Sequence, residues 1–184
     1  NIIWVSGSRG TVGKSTNAGR TWQWMKVKGF DSTEFRDIEA FDGSNAVIMG
    51  VAEPAYILKT TDGGETWQTV YENKAKGMFL DAMDFKGGHG VVIGDPINGK
   101  VFIAETADWG STWREWSVDK RPAADSGEAF FAASGTNIRV FEDKFYLVSG
   151  GLRSRLFTND RVTDMPVIQG KETTGAKSIS VCDK

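Results

Sequence analysis

The sequence predicts an all-β fold made by repeating one small antiparallel unit. Three observations predict it. The 184 residues include 22 glycines, 11 phenylalanines and 7 tryptophans but only 4 prolines, a mixture that suits many short strands joined by tight turns. Few stretches place apolar residues at helical spacing over a useful length. A local pattern also returns through the chain: STNAGRTW (15–22), TTDGGETW (60–67), TADWGSTW (106–113) and a decayed TNDRVTDM (158–165), with ends 45, 46 and 52 residues apart. A period of this size with several strands per repeat means radial or solenoid architecture.

Taken in order, the elements begin with NIIWVSGSRGTVGKST, which imitates a strand followed by a phosphate-binding loop. The pattern GxxxxGK[ST] needs a glycine where this chain has Ser8, and the following STNAGRTWQW reads as a turn and a strand rather than the helix that would receive phosphates. The stretch is the first copy of the repeat. Residues 1–28 supply three strands, IIWVSG, TVGKS and TWQWMK. Residues 35–71 supply four (RDIEAF, NAVIMG, YILKTT, TWQTVY), and residues 79–118 four more (LDAMDF, HGVVIG, VFIAET, TWREWS). Residues 127–169 supply EAFFAAS, the strand or hairpin NIRVFEDKFYLVSG, SRLFTN and a weak MPVIQ. Residues 176–184 end the chain on KSISVCD, which aligns with the first strand of the other units.

These features resemble the Asp-box, or BNR-repeat, β-propellers, whose motif is S-x-D-x-G-x-x-W. The combination of FRDIEAF and FLDAMDF with NAVIMG, HGVVIG and TTDGGETW is most similar to the YCF48-like propellers, which include photosystem II assembly factors. The resemblance covers nearly the whole chain. It implies four-stranded antiparallel blades with Asp-box turns, about four of them, forming part of a seven-bladed propeller whose broken edges are covered by missing blades or a partner. The strand count also allows a closed four-bladed ring in which the C-terminal strand completes the first blade and removes the free edges. The resemblance further implies a periplasmic or secreted setting; the chain begins directly in a strand without a signal peptide, as a mature exported protein would.

The box residues Asn17, Asp62, Asp108 and Asp160 read as structural. A short amide or carboxylate in such a turn accepts hydrogen bonds from turn N–H groups. Gly19, Gly64 and Gly110 suit positions of positive φ, and Trp22, Trp67 and Trp113 return a large ring to the space between sheets. In the family these boxes lie away from the ligand-binding face.

Antiparallel alternation puts the start of each inner strand and the loop between the second and third strands on one face. The inner strands align Asp37, Asp81, Glu128 and Lys177 around a central channel; the loops add Arg9, Glu53 and Asp95, with Arg36 and Glu39 beside the ring. Polar groups converging on a concavity are the usual form of a small-molecule or peptide site. Lys74, Lys76, Lys120 and Arg121 fall on the same face and give it the mixed polarity of a protein-recognition surface. The predicted function is therefore a non-enzymatic scaffold binding a protein, a peptide or a carbohydrate-like small ligand.

The alternative is a glycoside hydrolase with two of Asp37, Asp81, Asp95 and Glu128 as its carboxylate pair. Its sialidase form would require an arginine triad, a Tyr–Glu nucleophile pair and an Arg-Ile-Pro-like segment. Tyr56, Tyr71 and Tyr146 sit in no such setting, and the segment is absent. One histidine, His89, and one cysteine, Cys182, argue against zinc, a disulfide or a cysteine-pair redox centre, so no metal and no cofactor is expected. A net charge of −2 without a basic run gives nucleic acid no footprint, and no apolar run is long enough to span a membrane.

Overall fold

The computed structural model describes residues 1–133, 135–142 and 144–182. The first sheet contains β1 (Ile3–Ser6), β2 (Thr11–Ser15) and β3 (Gln23–Lys26). The second contains β4 (Phe35–Ala40), β5 (Ala46–Gly50), β6 (Ala55–Thr60) and β7 (Gln68–Asn73). The third contains β8 (Leu80–Lys86), β9 (His89–Ile97), β10 (Lys100–Thr106) and β11 (Arg114–Glu115). The fourth contains β13 (Ile138–Phe141), β14 (Lys144–Val148), β16 (Arg155–Thr158) and β17 (Val162–Asp164), with β12 (Glu128–Ala129) paired to β15 (Gly150–Gly151) beside it. All pairings are antiparallel between neighbours. The sheets follow one another in chain order, β1 against β4, β4 against β8 and β8 against β13, and the row is not closed into a ring.

The central strands explain this stacking. All five residues of β5 are buried, so both of its faces are covered. Ala46 and Ile48 pack with Trp4, Val12 and Phe35 against the first sheet, while Val47 and Met49 pack with Leu80, Met83 and Phe102 against the third. The third sheet turns Val91, Ile93 and Ile103 towards Ile138, Leu147 and Phe157 of the fourth. Near-continuous apolar strands such as NAVIMG are what burial on both faces requires. Backbone bonds link neighbouring sheets where they start, from Phe35 N–H to Gly7 O (3.1 Å) and from Leu80 N–H to Val51 O (2.9 Å).

Three box turns are built alike. The Asp62 carboxylate accepts from Thr66 N–H (2.9 Å) and from the Thr60 hydroxyl (2.8 Å), whose oxygen accepts from Gly64 N–H (2.9 Å). Asp108 repeats this with Thr112 and Thr106, and Asn17 with Thr21 and Ser15. The turn needs two consecutive left-handed residues, Ala18–Gly19, Gly63–Gly64 and Trp109–Gly110. Trp67 packs edge-on against Trp4 of the first sheet (6.3 Å) and Trp113 against Phe85 (5.8 Å), while Trp22 stacks on the exposed Trp24 (5.7 Å). A lysine from each preceding sheet reaches the next box: Lys14 to Gly63 O, and Lys59 to Trp109 O and the Ser111 hydroxyl.

The fourth unit departs from expectation in three ways. Asp160 is exposed and makes no box; residues 158–161 are a tight hairpin in which Thr158 N–H donates to Arg161 O, and Asn159 instead accepts from Phe145 N–H. The inner strand is β13, not EAFFAAS, because Glu128–Ala129 pairs only with Gly150–Gly151 beside the fourth sheet and the chain enters that sheet at Ile138. The outer strand is β17, and MPVIQ forms none. The anticipated C-terminal strand is also not formed over residues 176–182; Asp183 and Lys184 lie outside the described residues. This segment lies along the fourth sheet, with Ile179 N–H donating to Thr136 O and Ala176 N–H to the Ser154 hydroxyl, and does not close the ring onto β1.

Thr60→Val leaves the buried Gly64 amide without its acceptor and is expected to cost about 1–3 kcal/mol in urea denaturation. Asp160→Ala, in the hairpin that replaced the box, should leave the midpoint unmoved.

Candidate functional site

The inner strands carry a run of acids that reach from one sheet to the next. Asp37 on β4 accepts from Met83 N–H of β8 (2.8 Å) and from its own neighbour Ile38 N–H (2.8 Å). Asp84 on β8 accepts from Val140 N–H of β13 (2.6 Å) and from the Arg139 guanidinium (3.2 Å). Asp95, at the far end of β9, accepts from Phe130 N–H (3.2 Å). Carboxylates here act as hydrogen-bond acceptors between neighbouring units.

These acids titrate abnormally. Burial pushes Asp37 up to about 7, against the two amides that favour its charged form and with Glu39 and Asp84 adding repulsion. Burial also raises Glu39, with Asp84 reinforcing and Arg139 opposing. Asp84 and Asp95 are raised by burial in spite of their amide partners. Asp81 is wholly buried and neither oxygen makes a hydrogen bond of ordinary geometry. Burial and the neighbouring Asp95 hold it well above the usual carboxylate range, with only the Ala132 backbone and Arg36 working against them.

The alignment of Asp37 with Asp81 does not survive in the register. Asp37 lies opposite Met49, whereas Asp81 is the extra residue between the pairs Leu80–Gly94 and Ala82–Ile93; in the second sheet that bulged position is Arg36. Between the equivalent pairs Ala40–Ala46 and Phe85–Gly90 the β4–β5 hairpin holds one residue more than the β8–β9 hairpin, which shifts the inner strand by one, so Glu39 and Asp84 are the true counterparts. Glu128 does not ring a channel either. It sits on β12, buried, ion-paired with Arg155 and accepting from the Ser149 hydroxyl. Lys177 lies outside any strand with its ammonium 5.0 Å from the centre of the Phe131 ring.

On the loop face, Arg36 and Glu53 are brought together. They line a cleft of about 460 Å³ with Glu34, Phe30, Tyr56 and Phe79. Arg36 pairs with Glu34 (2.7 Å) and lies 5.9 Å over the Phe79 ring; Glu53 accepts from Gly77 N–H. Phe30 and Tyr56 meet edge-on at 5.0 Å. Asp95 and Glu128 face a separate opening of about 600 Å³. Arg9 is exposed on the β1–β2 loop and lines neither. The expected single funnel is thus divided into an axial row of acids and two clefts. Sequence reasoning missed Asp84 and Arg139 on the axis, although Asp84 is the second acid of FLDAMDF. It also missed the cleft's aromatic wall, whose members come from the β3–β4 connection (Phe30), strand β6 (Tyr56) and the β7–β8 connection (Phe79). Among the described residues no group of three or more His, Cys, Asp or Glu side chains is placed to hold a metal ion, and no helix is long and apolar enough to cross a membrane.

No protein-family model and no curated protein sequence matches the chain. Solved structures match its fold. One is a point mutant of the NanB sialidase from Streptococcus pneumoniae, 16% identical, TM-score 0.52, covering 85% of this chain and 29% of that one. NanB plus Optactamide gives 16%, 0.52, 84% and 27%. The structure of YCF48 bound to D1 peptide is 18% identical, with a TM-score of 0.47, over 86% of this chain and 60% of that chain. The chain thus spans three-fifths or less of each. The protein is an all-β array of antiparallel, mostly four-stranded sheets resembling propeller blades.

Because Asp37, Glu39, Asp81, Asp84 and Asp95 are raised, the folded chain binds protons that the unfolded chain has released. Their contribution to stability is full below the unfolded values, 3.8 for the aspartates and 4.5 for Glu39, and lost as pH rises through the folded values, about 7 for Asp37. The urea midpoint should therefore be higher at about pH 5 than at about pH 8, and Asp37→Asn should flatten that dependence. A midpoint independent of pH across this window would contradict the assignment.

Proposed function

We propose that the chain is part of a larger, seven-bladed propeller and serves as a non-enzymatic scaffold, binding a protein or peptide on the loop face in the assembly of a larger complex. The observation that carries this reading is how the candidate acids are used. Asp37 and Asp95 give oxygens to amides of the next sheet, Glu128 is committed to Arg155, and Asp81 is shut away from solvent. What the loop face leaves open is the cleft with Phe30, Tyr56 and Phe79 beside Arg36. Aromatic surface beside an arginine is the composition of an interface anchor.

Exposed apolar groups at both ends of the row support a larger whole, with Ile3 (38% exposed) and Trp24 (63%) on the first sheet and Ile168 (86%) beyond the last. Missing blades or a partner would cover them. A periplasmic or secreted setting belongs to the same reading. For a glycosidase, Asp81 and Asp95 are the adjacent acids, but Asp81 has no surface from which to reach a glycosidic oxygen.

A peptide array probed with the purified chain, followed by titration of the strongest hit, tests the proposal. Arg36→Ala and Phe79→Ala should each weaken that hit by about tenfold or more. An array without hits, or a hit indifferent to both substitutions, would overturn it. Turnover of chromogenic glycosides abolished by Asp95→Asn would establish the enzyme instead.

A further inference from the structure

The face opposite the loop cleft, where the box turns lie, holds a feature that the scaffold reading does not use. The three box turns share one backbone geometry, yet their first left-handed residue differs: Ala18 (φ 60°), Gly63 (φ 81°) and Trp109 (φ 59°). An L-residue in this conformation costs about 1–2 kcal/mol, and glycine avoids the cost. The third box carries the largest side chain there, and it is not buried for packing, since Trp109 is 49% exposed.

Trp109 is nonetheless held firmly. Phe41 meets its ring edge-on at 5.1 Å, its N–H donates to Gly88 O (3.0 Å), and its carbonyl accepts from the Lys59 ammonium (2.7 Å). Beside it the β4–β5 hairpin and the third box enclose a cleft of about 420 Å³, lined also by Asp42, Asn45, Asp108 and Ser111. The polar groups are fixed in advance. Asp42 accepts from Ser44 N–H (2.6 Å), Asn45 N–H (2.7 Å) and the Asn45 amide (2.8 Å), and Lys59 also donates to the Ser111 hydroxyl (2.8 Å).

We propose that this cleft binds a pyranose ring of a neutral oligosaccharide, with Trp109 as the platform and Asp42, Asn45 and Lys59 as the hydroxyl-recognising groups. A sugar ring presents C–H bonds on its face and alternating donors and acceptors on its rim. A partly exposed indole suits the first and a carboxylate, amide and ammonium together suit the second. A nucleotide would also stack on indole, but Asp42 and Asp108 repel its phosphates. A cationic ligand meets Lys59. The site lies on the other side of the blades from the peptide cleft and stands independently of it.

Titration of maltotetraose, cellotetraose and chitotetraose into the intact chain, followed by tryptophan fluorescence and calorimetry, tests the site. At least one should bind saturably with Kd of about 0.1–1 mM. Trp109→Gly, the residue of the second box, should abolish binding while keeping or raising the urea midpoint, because it removes left-handed strain. Asn45→Ala, which removes the amide bond to Asp42 but keeps the backbone bonds of the β4–β5 turn, should weaken binding by about tenfold, and Trp24→Ala, exposed on the first sheet, should leave it unchanged. Absence of saturable binding by all three sugars, or binding that survives both Trp109→Gly and Asn45→Ala, overturns the proposal. So does a Trp109→Gly chain that loses stability and keeps its sugar, since Trp109 would then be only an inter-sheet brace.

Discussion

Everything in this molecule depends on central strands that are apolar on both faces. A strand such as β5, with Ala46 and Ile48 turned one way and Val47 and Met49 the other, cannot shield itself within one sheet. Each such sheet must be covered twice, and the solution adopted is a row of sheets in which every interior member covers two neighbours. The gain is proportional to apolar area removed from water and has no direction of its own. Direction comes from the devices at the two edges of each junction, the box turns at one end and the acids of the inner strands along the axis.

The axial acids follow from geometry more than from chemistry. Twisted sheets packed face to face converge at their inner strands, where backbone amides of one sheet point towards the next without a carbonyl in reach. Asp37 and Asp84 supply the missing acceptors to Met83 and Val140. Their carboxyls are thereby drawn into partial burial, and Arg139 supplies compensation for Asp84 and Glu39. Raised proton affinity is then a by-product of a structural bond. That is why perturbed carboxyls in a concavity, ordinarily a reason to suspect catalysis, carry little weight here.

What could be read from the chain alone separates along the same line. The box turns were legible because their bonds are local: Thr60, Asp62, Gly64 and Thr66 lie within seven residues, and their spacing is their mechanism. The both-face burial of NAVIMG and HGVVIG was legible from apolar continuity. The register was not, because one additional residue in the β4–β5 hairpin slides the inner strand past its partner and exchanges Asp81's place with that of Arg36. A one-residue slip of this kind changes which side chains share a face, and no local pattern reports it. The fourth unit hid its inner strand behind the detour from Ala129 to Ile138, and Glu128 was misplaced for that reason. The aromatic cleft was invisible for a related cause, since Phe30, Tyr56 and Phe79 meet only after the second sheet has been set between its neighbours.

The box turn therefore has two separable properties. Its shape is set by Thr or Ser at the strand end, the acid or amide two residues later and the second threonine, and these bonds do not involve the side chain of the first left-handed residue. Alanine, glycine and tryptophan there all take a left-handed φ, at 60°, 81° and 59°. A position whose backbone is fixed by others is free to carry any side chain that tolerates the conformation, and it projects onto the surface between two sheets. Tryptophan is the least economical residue for the turn and Phe41 alone does not bury it. The same fold thus offers a recognition position at each box without altering the packing beneath, and in this chain the junction of the second and third sheets is where an aromatic occupies it.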